Sequence, residues 1–161
     1  EKTMSVLRNQ QLGIPFGMAY PLTFGGKTFQ ENFDYGREIK DNLRNLLLTQ
    51  KGERRNLNFG TDLISICFQY QAGTIELENA IVQSINEAVE TFMSGVTVDS
   101  VTVVADESNE NIVRVSVDFS ADFTDPSNFT FDIDPGGFFT EVPTAAEVEA
   151  ESIERVNQYG V

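Results

Sequence analysis

The chain holds 25 Asp and Glu but no His, no Trp and a single Cys, so carboxylates and one thiol are the candidates for chemistry. Without His, Ser-His-Asp and Cys-His catalysis and His-bound zinc are excluded. Glu53 and Asp62 can be read as an acid–base pair. Glycoside hydrolysis needs two carboxylates roughly 5–10 Å apart across a sugar-binding cleft, one of them with a raised pKa. Among 25 acids some pair meets such a distance by chance, and Trp, a common sugar platform, is missing. The plainer role for Glu53 is a salt bridge or helix-end hydrogen bond beside Arg54, and this is the reading we adopt. Asp132-x-Asp134 begins like a calcium loop, but Pro135 follows and Pro143 stands where the closing Glu belongs. Cys67 sits in the apolar run Leu63–Phe68 and reads as a buried, inert thiol in a reducing compartment. Asn128-Phe129-Thr130 fits a glycosylation sequon and Gly25-Gly26-Lys27 a fragment of a phosphate loop. With no secretory leader visible in Glu1–Val6 and no full loop spacing, both read as ordinary strand and turn residues. No cofactor and no metal are expected.

Charge is unevenly spread. The net charge is −14, yet residues 1–55 carry nine of the eleven Lys and Arg and come to +3, while residues 56–161 come to −17. An acidic surface of that density repels phosphate, so nucleic acid is not an expected partner, whereas a protein with basic patches is. No run approaches the roughly 18 apolar residues of a membrane span. A length of 161 residues allows one domain that buries about 70% of its unfolded surface.

These side chains need elements to position them. Residues 1–35 read as a partner-binding arm, because Gly and Pro interrupt it too often for a continuous helix or a long strand, yet it is rich in Phe and Tyr. From Arg37 to Gln50, Ile39, Leu43, Leu46 and Leu47 fall on one helical stripe, with Lys40, Asp41 and Arg44 expected to point away. Asp34 is the expected N-cap and Gly52 the expected stop. A short apolar helix is expected from Thr61 or Asp62 to about Tyr70. A long one opens at Thr74, carries Ile81, Ile85, Ala88, Val89 and Phe92 on one stripe, and ends at Gly95. Beyond it the period becomes two: Val96–Ala105, Ile112–Ser120 and the stretch around Phe129, Phe131 and Ile133 read as an antiparallel meander with one solvated face. Asp134-Pro135-Gly136-Gly137 is expected to end the sheet, leaving 135–161 as an acidic tail. The fold class is α+β, two or three helices on a small antiparallel sheet of three strands or slightly more, spanning 36–134.

At the turn after the first helix the residues become recognisable. Ile39, Asn42-Leu43, Leu46-Leu47-Leu48-Thr49, Gly52-Glu53-Arg54, Phe59-Gly60 and Leu63 together resemble the signature of the gp25-like family, baseplate wedge proteins of contractile phage tails with relatives in type VI secretion systems. The resemblance covers roughly residues 20–134. Two departures stand out. The link Arg55-Asn56-Leu57-Asn58 lacks the Pro common in the family, and Met93-Ser94-Gly95 stands where many members carry a Glu-Pro-Arg wedge-contact motif.

The resemblance implies a structural subunit of the virion tail baseplate, assembled in the host cytoplasm, and not an enzyme. Its small sheet is expected to accept strands from tail sheath protein, with other baseplate wedge and hub proteins as further partners and six copies per baseplate. Leu46, Leu47, Thr49, Gly52, Glu53, Arg54, Phe59 and Gly60 form the motif. Val113, Val115, Val117 and Phe119, with Phe129 and Phe131, mark candidate sheath-facing strands. Phe16, Tyr20 and Phe24 are candidate arm anchors. The alternatives are the equivalent subunit of a type VI or other injection baseplate and, since some members have been labelled lysozyme-like, a glycoside hydrolase.

Overall fold

Asp34 begins the first helix as its side chain dictates. It sits in extended backbone, and its carboxylate accepts the Gly36 and Arg37 amides at 2.8 and 3.4 Å, satisfying donors that a helix start leaves open. The computed structural model describes residues 15–18, 24–25, 28–29, 31–106, 112–122, 124–134, 136–137 and 139–143. Helix α1, Tyr35–Leu47, buries Ile39, Leu43, Leu46 and Leu47 as the stripe predicts. It stops before Gly52, because the Thr49 hydroxyl donates to the Asn45 carbonyl at 2.6 Å and the Thr49 carbonyl is taken by the Thr61 amide at 2.9 Å. Its opposite face is not all solvated. Asp41 is 9% exposed, and Arg44 pairs with Glu141. The periodicity marks a stripe but not how far later elements wrap around it.

Helix α2, Leu63–Gln69, is short and fully buries only Leu63. Helix α3, Ile75–Phe92, is capped by the Thr74 hydroxyl on the Leu77 amide, with Glu76 and Glu78 in its first turn where the helix dipole favours acids. It buries Leu77, Ile81, Ile85, Ala88 and Val89. Three helices and a four-stranded antiparallel sheet therefore make up the core among the described residues. In front of them lie the two-residue strands β1 (Gly17–Met18), β2 (Phe24–Gly25), β3 (Thr28–Phe29) and β4 (Glu31–Asn32), with β1 paired to β4 and β2 to β3.

The main sheet runs in the order β5 (Val96–Ala105), β6 (Val113–Ala121), β7 (Ser127–Ile133), β8 (Phe139–Glu141). Val115 lies opposite Val103 on one side and Phe131 on the other; Val117 lies between Val101 and Phe129. Alternation puts Val113, Val115, Val117, Phe119, Phe129, Phe131 and Ile133 on one face, all buried with the helices. The fourth strand corrects the expected end of the sheet. Asp134 closes a turn, its carboxylate taking the Gly136 amide at 2.7 Å and its carbonyl the Gly137 amide at 3.0 Å, and the chain returns to pair Phe139 with Ile133 and Glu141 with Phe131.

The outer face carries a cross-strand polar ladder. Arg114 grips Asp132 through two 2.8 Å bonds; Asn128 donates to Ser116 at 2.8 Å and to Asp118 at 2.6 Å; Ser100 donates to Asp118 at 2.6 Å. The bonds from Ser100 and Asn128 hold the Asp118 carboxyl below the ordinary carboxylate value, with slight desolvation working the other way. A carboxyl whose pKa falls on folding adds stability above its unfolded pKa, and that contribution fades as pH drops through the folded value. Thermal melting should thus become acid-sensitive below the ordinary carboxylate range, and Asp118→Asn should flatten that dependence. An NMR titration placing the Asp118 carboxyl at or above free Asp would contradict this.

Candidate functional site

The motif residues converge on the turn between α1 and α2, and each has a mechanical part there. Leu46 and Leu47 are core. Glu53 folds back so that its carboxylate accepts the Gln50 amide at 3.1 Å, while its own amide donates to the Gln50 carbonyl at 3.2 Å. Gly52 takes φ +92° at the tip and its amide bonds the Leu57 carbonyl at 3.0 Å. Arg54 donates to the Asn45 side-chain oxygen at 2.6 Å and lies over the Phe59 ring, 5.6 Å from its centre. Phe59 in turn meets Phe92 edge-on, with ring centres 5.2 Å apart, an arrangement that the ring quadrupoles favour.

Gly60 sits where the two limbs of the turn touch. Its φ is +112°, and a Cβ there would fall 2.3 Å from the Thr49 carbonyl oxygen. That approach lets Gln50 and Thr61 bridge in parallel, with the Lys51 amide bonding the Thr61 carbonyl at 3.0 Å. The buried Thr61 hydroxyl donates to the Leu47 carbonyl at 2.9 Å. The motif clamps the end of α1 to the start of α2 and, through Phe59, to the end of α3.

The acid–base pair finds other employment. Asp62 is held by the Lys51 ammonium at 2.7 Å, and Glu53 is occupied with backbone. Asp132 of the calcium-loop reading is the Arg114 partner, and Asn128 and Thr130 of the sequon bond each other at 2.8 Å within the ladder. Among the described residues no group of three or more His, Cys, Asp and Glu could hold a metal ion, and no helix is long and apolar enough to cross a membrane. Cys67 is half-buried, and that burial pushes its thiol up to about 11, well away from a reactive thiolate.

Met93, Ser94 and Gly95 form the tight link from α3 into β5: the Met93 amide closes on the Val89 carbonyl at 2.8 Å, and the Gly95 carbonyl takes the Asp122 amide at 3.1 Å. Of the arm anchors, Phe16 packs on Tyr35 with ring centres 5.4 Å apart, so it is seated on its own chain. Phe24 lies in β2 but its side chain, like all of Tyr20, lies outside the described residues, as does the tail beyond residue 143.

The candidate sheath-facing residues belong to the core, not to a border. Their six side chains are buried, and β6 has a neighbour on each side, so it offers no open backbone. Strand β7 is flanked by β8 over Phe131–Ile133, and the Val142 amide bonds the Thr130 carbonyl at 3.0 Å. The long open border is β5. Its ten residues, about 33 Å of backbone, pair with β6 alone among the described strands. Val96, Val98, Val101 and Val103 are only half-buried, as suits an edge. A register shift between Val98 and Ser100 is a bulge, a common device for keeping an edge from pairing indiscriminately. The alternation marks a meander, which the strand order bears out, but not which strand is the open edge; the pairing register reveals that.

Comparison with known proteins gives two findings. The profile of a family described as baseplate wedge protein gp25 matches residues 34–125. A solved Geobacter sulfurreducens structure, provisionally named a tail lysozyme, superposes with a TM-score of 0.51 at 16% identity, covering 70% of this chain and 95% of that one. At that identity the likeness shows the fold. No curated protein matches the chain.

Proposed function

This chain belongs to the baseplate wedge gp25 family, and from that premise we propose that it starts the contractile tail sheath by accepting a sheath strand along β5. The observation that carries this is the unpaired side of a ten-residue edge strand. A row of free N–H and C=O groups supplies affinity to an incoming strand, and alternating side chains set its register. The acids around the sheet, among them Asp99 and Asp122, favour an incoming segment with Lys or Arg. The other partners of this reading are neighbouring wedge and hub proteins, in six copies per phage baseplate assembled in the host cytoplasm. The role is non-catalytic: Glu53 and Asp62, the pair proposed for hydrolysis, both serve the turn.

The test is sheath growth on isolated baseplates. Purified sheath protein should polymerise with a shorter lag on baseplates that contain this chain than on baseplates depleted of it. The purified chain should release no sugar from peptidoglycan. Equal lags, or lysis abolished by Glu53→Gln, would overturn the reading.

A further inference from the structure

The valines of β5 do not alternate evenly along the chain. Val96 and Val98 are half-buried; two exposed residues in succession, Asp99 and Ser100, then precede the half-buried Val101, Val103 and Ala105. Without compensation, that one-residue slip would send the second set to the opposite face of the sheet. The bulge absorbs it. Val98 lies opposite Phe119 and Ser100 opposite Asp118, so Asp99 is the extra residue, and its carboxylate takes the Ser120 hydroxyl at 3.1 Å. Both halves keep their apolar side chains toward the helices, but regular pairing is broken there. The longest unbroken stretch of the border is the six residues Ser100–Ala105, about 20 Å of backbone.

The two faces of that stretch differ. On the helix side Val101 and Val103 pack on the core yet stay half-buried, whereas Val117 and Val115, opposite them on β6, are fully buried. What β6 has and β5 lacks is a neighbour on the far side, and apolar groups left partly in water gain from one. On the other face Thr102 lies opposite Ser116, whose hydroxyl meets that of Thr130 at 3.0 Å. This row of small polar groups crosses three strands and ends at the border. Side chains directly opposed on one face are the pairs through which strands select each other.

We infer that β5 selects a strand whose six-residue core pairs with Ser100–Ala105 and stops at Asp99, with β-branched or aromatic residues at alternate positions on the helix side and Ser or Thr between them. This deepens the reading of β5 as a strand acceptor and rests on it: the bulge sets the length, and the valine row sets the chemistry. The occupant is a segment of another polypeptide, in that reading the sheath protein.

Hydrogen exchange of the isotope-labelled full-length chain, followed amide by amide by NMR, tests this. The probe is a synthetic peptide with the core Thr-Val-Thr-Val-Thr-Val between terminal lysines. Its isomer Thr-Thr-Thr-Val-Val-Val has the same composition without the alternation. The alternating peptide should slow exchange of the outward amides of Ser100–Ala105 about tenfold and leave those of Val96–Val98 unchanged; the isomer should slow neither. Deleting Asp99 makes the alternation continuous, Val-Thr-Val-Ser-Val-Thr-Val, so a longer alternating peptide should then protect from Val96 onward. Asp99→Ala, which removes the charge but keeps the extra residue, should leave the boundary in place. Protection of Val96–Val98 in the parent, equal protection by the isomer, or a boundary moved by Asp99→Ala would overturn the proposal and leave strand acceptance at β5 standing. Protection by neither peptide would overturn both. Protection that rises with the concentration of the chain alone would give the border to a second copy, and faster exchange after removal of residues 1–14 or 144–161 would give it to the chain's own ends. Either result would also overturn the proposal.

Discussion

Gly60→Ala should unfold in urea with a loss of about 2–4 kcal/mol, the largest stability effect expected of any single methyl group in this chain. Two causes add. A residue with a side chain held at φ +112° costs about 1–3 kcal/mol in backbone strain. The added Cβ, 2.3 Å from the Thr49 carbonyl oxygen, also forces the two limbs apart and weakens the Thr61-to-Thr49 backbone bond, worth about 1 kcal/mol. The melting temperature should fall by about 10 °C for a domain of this size. Gly52→Ala is the internal control. Its φ is +92° but nothing lies within 4 Å of the added atom, so it should lose only the backbone-strain part, about 1–3 kcal/mol, and less than Gly60→Ala. Equal losses in the two variants would show that the close approach at Gly60 is not what the turn depends on.

The second large effect concerns assembly. Thr102→Pro and Val103→Pro, made separately, should divide stability from function. Neighbouring residues of an antiparallel strand send their N–H groups to opposite sides, so one of the two loses a bond to β6 and the other loses a donor aimed outward. Proline removes the donor in either case. The variant that loses the β6 bond should melt markedly lower. The other should keep nearly its full melting temperature and yet start sheath growth at least tenfold more slowly. If the variant that keeps its melting temperature also starts sheath at the parental rate, strand addition at β5 is wrong.

Much of the fold could be read from residue order because local signals and tertiary packing agree there. Asp34 and Thr74 cap as their side chains predict, the stripes of α1 and α3 are the buried ones, and alternation in β6 and β7 marks the buried face. The misses share one physical cause: partners distant in sequence. Strand β8 has three residues, too few to alternate visibly, and a Pro-Gly-Gly turn marks a reversal as readily as an end. Arg44 looked solvated because nothing local announces Glu141. Gly52 looked like a helix stop because a positive φ was expected there, and it has one, five residues past the helix and inside a turn built by Thr49 and Thr61. The six sheath-facing candidates were chosen for alternation, which reports a buried face and is silent about which backbone lacks a neighbour. Within the motif, the Glu53 carboxylate accepts the Gln50 amide just past the end of α1, a contact between residues close enough in sequence for local reading to anticipate.

The contact between Arg44 and Glu141 has a further result. It ties the short last strand to the first helix, so the two edges of the sheet are unlike: three residues anchored to a helix by a side chain on one, ten residues on the other. If a partner strand adds to this sheet as proposed, the ten-residue flank offers it a far longer run of backbone than the three-residue one.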